Sequence, residues 1–130
     1  MFIKRIGGTN RYSDVVIQDR IAYLSGVVPS KESSVYEQTK EVLSNIDRLL
    51  RSINTSNKNI LNMTIYLTDE TTYEEMNHAF DEWIPEDCAP ARATIGNVKF
   101  PNPMWKIEIT VTAYIPYVFS VSDETVNYIR

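Results

Sequence analysis

Groups able to do covalent or metal chemistry are scarce in this chain: among 130 residues there is one cysteine, Cys88, and one histidine, His78. A single thiol allows no internal disulfide and no cysteine cluster for zinc or iron–sulfur. A single imidazole excludes multi-histidine metal sites and leaves little material for a Ser/His/Asp or Cys/His nucleophilic centre. Cys88 lies between Pro85 and Pro90 beside Glu86 and Asp87, with no basic neighbour to activate a thiol; it reads as structural or incidental. His78 falls in the exposed phase of a helical pattern and reads as solvated. If this chain is a catalyst, its chemistry must be simple. Arg92, just after a proline turn, and Glu108, in the polar phase of an alternating run, read by themselves as a solvated arginine and a surface glutamate.

The elements that must position these groups follow from periodicity. Met1–Ile6 has strand character until Gly7-Gly8 breaks it. Val15–Ile17 and Ile21–Val28, separated by Gln18-Asp19-Arg20, read as a hairpin. Ser34 and Glu37 stand at capping-box spacing before a helix. Its apolar residues Val35, Val42, Leu43, Ile46, Leu49, Leu50 and Ile53 share one stripe. Ile60–Leu67 alternates as a strand. Thr72 and Glu75 repeat the capping spacing before a second stripe of Tyr73, Met76, Phe80 and Trp83 or Ile84, which Pro85 ends. Ala91–Val98 and Trp105–Tyr114 complete the order βββαβαββ, an α+β domain with two helices on one face of a mixed sheet. The other face carries Asn62, Thr64 and Tyr66 on one strand and Glu108, Thr110, Thr112 and Tyr114 on another. It is semi-polar and suits contact with another subunit.

Length and charge narrow the function classes. Chains of roughly 100–150 residues form one core, and the net charge of −4 with scattered basic residues argues against nucleic acid as partner. No apolar run approaches the roughly 20 residues that span a bilayer, and the start MFIKRIGG lacks secretory-signal character; no membrane partner and a cytoplasmic address are expected.

Several segments resemble the RidA (reactive-intermediate deaminase, YjgF) family in order and spacing. They are Tyr12-Ser13-Asp14, Leu24-Ser25-Gly26, Met76-Asn77, Pro90-Ala91-Arg92-Ala93-Thr94 and Lys106-Ile107-Glu108-Ile109. The likeness covers residues 1–116 and leaves 117–130 as a C-terminal extension that could add an edge strand, dock at a subunit boundary or fray. The resemblance implies a fold like that of Bacillus chorismate mutase, with the fourth strand inserted between the last two. It also implies a homotrimer with ligand clefts between subunits, and cofactor-free hydrolysis of enamines and imines such as 2-aminoacrylate and 2-iminopropanoate to 2-keto acids and ammonia. By family position Arg92 would bind the substrate carboxylate and Glu108 would position or deprotonate the attacking water. Gly26 and Thr94 would offer backbone groups, with Tyr12 and Asn77 near the pocket. Where the best-characterised branch commonly has cysteine, this chain has Thr94, so a thiol role is lost while the backbone remains. Two other readings stand beside it: a non-catalytic trimeric module that binds a small carboxylate metabolite in the same pocket, and a ribonuclease, which the acidic charge and lack of a histidine pair disfavour.

Overall fold

The amphipathic stripe of residues 35–53 becomes helix α1, Val35–Ser52, with Val42, Leu43, Ile46 and Leu50 fully buried. Ser34 caps it as the spacing requires, its Oγ accepting from the Glu37 N–H at 3.1 Å. The second capping expectation is corrected. Residues Glu70–Thr72 form a 3-10 turn that leaves Thr72 outside the extended conformation of a cap, and its hydroxyl makes no cap bond to helix α2, Tyr73–Trp83. Glu75 instead reaches α1, where its Oε2 accepts from the Tyr36 N–H at 3.0 Å. The carboxylate of one helix therefore satisfies an orphan donor at the positive end of the other.

These helices lie on a six-stranded sheet. The computed structural model describes residues 2–116, so the extension at 117–130 lies outside the described residues. The strands are β1 (Lys4–Ile6), β2 (Val15–Gln18), β3 (Ile21–Val27), β4 (Ile60–Leu67), β5 (Ala91–Ile95) and β6 (Ile107–Tyr114), in spatial order β1-β2-β3-β6-β4-β5. The α+β order βββαβαββ on a mixed sheet is thus the observed one. Asp19 and Arg20 both take positive φ between β2 and β3, the backbone of a tight two-residue hairpin. Only β4 and β5 run parallel, and α2 makes the crossover that a parallel pair demands. β4 is inserted between β6 and β5, so the last two strands in sequence never touch.

Register assigns each side chain to a face. Met63 and Ile65 on β4 and Ile107, Ile109, Val111 and Ala113 on β6 are buried beneath the helices. The opposite face carries Thr110 paired with Thr64 and Glu108 paired with Tyr66. It also exposes Tyr23 and Ile95. No helix among the described residues is long and apolar enough to cross a membrane.

One buried polar side chain ties the core to the approach of β6. Gln38 on α1 is wholly buried; its Nε2 donates to the carbonyls of Lys31 (3.1 Å) and Met104 (3.0 Å), and its Oε1 accepts from the Lys106 N–H at 2.9 Å. An amide spends three of its four bonding positions here, fixing the segment that delivers Ile107 and Glu108 to the sheet.

Candidate active site

Arg92 sits on β5 opposite Met63, and Thr94 opposite Ile65. Both therefore point to the helix side of the sheet edge. Above them α2 presents Tyr73, Asn77 and Phe80, spaced i, i+4 and i+7 on one helical face. Arg92 Nη2 donates to Asn77 Oδ1 at 2.9 Å and to Tyr73 Oη at 3.2 Å. The guanidinium carbon lies 4.8 Å from the Phe80 ring centroid and 5.8 Å from that of Tyr73, within range of cation–π attraction. None of these neighbours is anionic. Among the described residues the salt bridges join His78 to Glu82 and Lys106 to Glu32, and none involves Arg92. A half-buried cation is held by neutral acceptors and aromatic faces, with its charge uncompensated.

Glu108 belongs to a second group on the other face. It is half-buried, and burial raises its carboxyl pKa above the ordinary glutamate value. Gly26, in the irregular stretch of β3 between Leu24 and Val27, lies directly against it: a Cβ at that position would stand 1.9 Å from Glu108 Oε2. The glycine is required for close approach of a carboxylate, not for a left-handed turn. Next in the chain before it, Ser25 donates through Oγ to the Ser13 carbonyl at 2.5 Å and through its N–H to the Asp14 carbonyl at 3.0 Å. That pairing brings the β1–β2 loop, and with it the exposed Tyr12, to the side of Gly26 and away from β5.

Within one chain, then, the residues singled out from sequence fall into two groups: Arg92, Asn77 and Thr94 at the β5 edge under α2, and Glu108, Gly26 and Tyr12 around β3 and β6. Arg92 and Glu108 occupy opposite faces of the sheet with β4 between their strands. Helical spacing alone places Tyr73 and Phe80 in the core stripe. Phe80 is buried, but Tyr73 is 41% exposed and faces Arg92 instead of the core. The signal that could have found it is its four-residue offset from Asn77. Among the described residues no cluster of three His, Cys, Asp or Glu side chains could hold a metal. The arrangement offers donors for an anion at one place and a partly desolvated carboxylate at another.

Residues 2–115 match the family model described as Endoribonuclease L-PSP. The chain belongs to the RidA/YjgF/L-PSP family. A RutC family protein of Haemophilus ducreyi is 48% identical over 114 residues, covering 87% of this chain and 97% of that protein. The RutC family protein YoaB of Escherichia coli is 36% identical over 115 residues, covering 88% of this chain and all of YoaB. A crystal structure of a YjgF family member from Neisseria meningitidis superposes with a TM-score of 0.87 at 36% identity, covering 91% of this chain and 98% of its own. The two helices on a mixed six-stranded sheet are the fold of these RidA/YjgF/L-PSP structures.

Proposed function

We propose that this RidA/YjgF/L-PSP chain is a cytoplasmic, cofactor-free deaminase that hydrolyses small enamine and imine acids, such as 2-aminoacrylate and 2-iminopropanoate, to 2-keto acids and ammonia. The observation that carries the reading is the uncompensated charge of Arg92, held by Asn77 and Tyr73 with no carboxylate partner among the described residues. A guanidinium so placed recruits a substrate carboxylate by charge-assisted hydrogen bonds. The imine carbon is already electrophilic, so the remaining tasks are orientation and proton transfer. Glu108 accepts a proton from water as its oxygen attacks that carbon, giving a carbinolamine. The resulting carboxylic acid returns that proton to nitrogen; Glu108 then takes the hydroxyl proton and passes it to the amine as the C=O double bond forms and the C–N bond breaks, and ammonia leaves. A carboxyl whose pKa is raised by burial suits both halves of this exchange.

One protomer holds Arg92 and Glu108 on opposite faces, so the working cleft needs a second copy. A homotrimer in which Arg92 of one subunit meets Glu108 of its neighbour satisfies this. The semi-polar face with exposed Tyr23 and Ile95 is the surface available for such packing.

An amino-acid oxidase or dehydratase generating the imine in situ provides the test. The protein should accelerate imine decay, Arg92→Ala and Glu108→Gln should each abolish the effect, and mixing the two inactive variants during refolding should restore part of it through hybrid sites. No acceleration by the wild type, or full acceleration by Arg92→Ala, would refute the proposal. The separation of the two groups within one chain also favours a second reading, a carboxylate-binding module without turnover. In that case Glu108→Gln would leave ligand affinity unchanged and the wild type would show no catalysis.

A further inference from the structure

We infer that Tyr73 is a ligand-binding residue of this cleft, its hydroxyl donating one of the hydrogen bonds that hold the substrate carboxylate. Only the nature of the ligand, a small 2-oxo or 2-imino acid, rests on the deaminase reading. Arginine has donors and no acceptor. In the bond from Arg92 Nη2 to Tyr73 Oη at 3.2 Å, the phenol is therefore the acceptor, and its own proton is directed elsewhere. No protein acceptor for that proton occurs among the described residues, and Tyr73 is 41% exposed. Asn77 is under the same constraint, since its Oδ1 is taken by Nη2.

With two acceptors on Nη2, the guanidinium no longer offers that nitrogen for a full parallel fork to a carboxylate. One carboxylate oxygen takes a remaining guanidinium N–H, and the other takes the Tyr73 O–H. The phenol thus carries the donor function one atom beyond the arginine, and the aromatic ring at 5.8 Å forms a wall of the site. The Tyr73 O–H and the remaining guanidinium N–H groups present hydrogen to the ligand, which favours an anion over a neutral amide.

The test is titration of the full-length protein, followed by NMR, with pyruvate and with its neutral isostere pyruvamide. Tyr73→Phe should weaken pyruvate by about 10-fold, the loss of one hydrogen bond to a charged group, and weaken pyruvamide by clearly less, since a neutral acceptor forms the weaker bond; in turnover it should raise KM with kcat nearly constant. Equal pyruvate affinity in Tyr73→Phe overturns the assignment. So does equal weakening of both ligands, which a merely structural role of the ring would produce, and so does a wild type that fails to bind pyruvate. Loss of pyruvate binding in Tyr73→Phe together with no imine hydrolysis by the wild type would remove the deaminase reading alone. Hydrolysis with an unaltered Tyr73→Phe would remove the Tyr73 assignment alone.

Discussion

Gly26→Ala isolates the contact on which the placement of Glu108 depends. The added Cβ would lie 1.9 Å from Oε2, 2.8 Å from Cδ and 3.1 Å from Cγ of Glu108. The backbone at Gly26 does not have positive φ, so alanine meets no conformational penalty and the whole effect falls on the neighbouring side chain. To reach ordinary contact near 3.4 Å the carboxylate must move by about 1.5 Å, and misplacement by about 1 Å costs catalysis on the order of 100-fold. The clash is with the flexible end of a half-buried side chain. Stability should therefore fall by only about 1 kcal/mol, the low end of overpacking costs. The assay is initial-rate imine hydrolysis beside urea unfolding. kcat should drop about 100-fold while KM, which the proposed function assigns to the Arg92 group on the other face, stays near wild type. In a Glu108→Ala background, where the contacted carboxylate is absent, the same alanine should cause no further loss of stability, because the contact it disturbs is gone. Wild-type turnover in Gly26→Ala, or additive losses in the double variant, would refute the reasoning.

Two further outcomes follow from the buried polar groups. Gln38→Leu strands the Lys106 N–H and the carbonyls of Lys31 and Met104, which should cost about 3 kcal/mol in urea unfolding and speed amide exchange at Lys106. Glu108 has a raised pKa, so its favourable contribution to folding is complete below the ordinary glutamate pKa of about 4.3 and is lost as pH rises through the higher folded-state value. Glu108→Gln, which does not titrate, should melt at or above the wild-type temperature at pH 7 and lose that advantage near pH 4; a variant less stable than wild type at pH 7 would contradict the burial effect.

Helices and strands were legible in this sequence because amphipathic spacing is local. The stripe Val42, Leu43, Ile46 and Leu50, and the alternation of β6 from Ile107 to Ala113, needed no neighbours to be recognised. The N-cap at Ser34 was legible for the same reason, whereas Thr72–Glu75 showed the same spacing with a different outcome. There the decisive partner of Glu75, the Tyr36 N–H, lies 39 residues away. Strand order was not contained in periodicity at all. It came from family likeness, and the registers that pair Arg92 with Met63 and Glu108 with Tyr66 on the inserted β4 put the two on opposite faces. Asn77 was expected near the site and is bonded to Arg92. Tyr73 was absorbed into the apolar stripe because a tyrosine at that spacing satisfies a hydrophobic pattern as well as a polar role; only the position of β5 under α2 separates the two.

The neutral cradle of Arg92 has a consequence for the protein outside catalysis. An arginine paired with a fixed aspartate carries its compensation into the folded state, whereas Arg92 has no carboxylate partner among the described residues. Any small carboxylate that the native state binds and the unfolded chain does not will draw the folding equilibrium toward the native state, by about 2.7 kcal/mol at 100 times its dissociation constant. If Arg92 binds a small carboxylate as proposed, the resistance of this protein to unfolding, and with it to proteolysis of the unfolded chain, rises with the concentration of that acid.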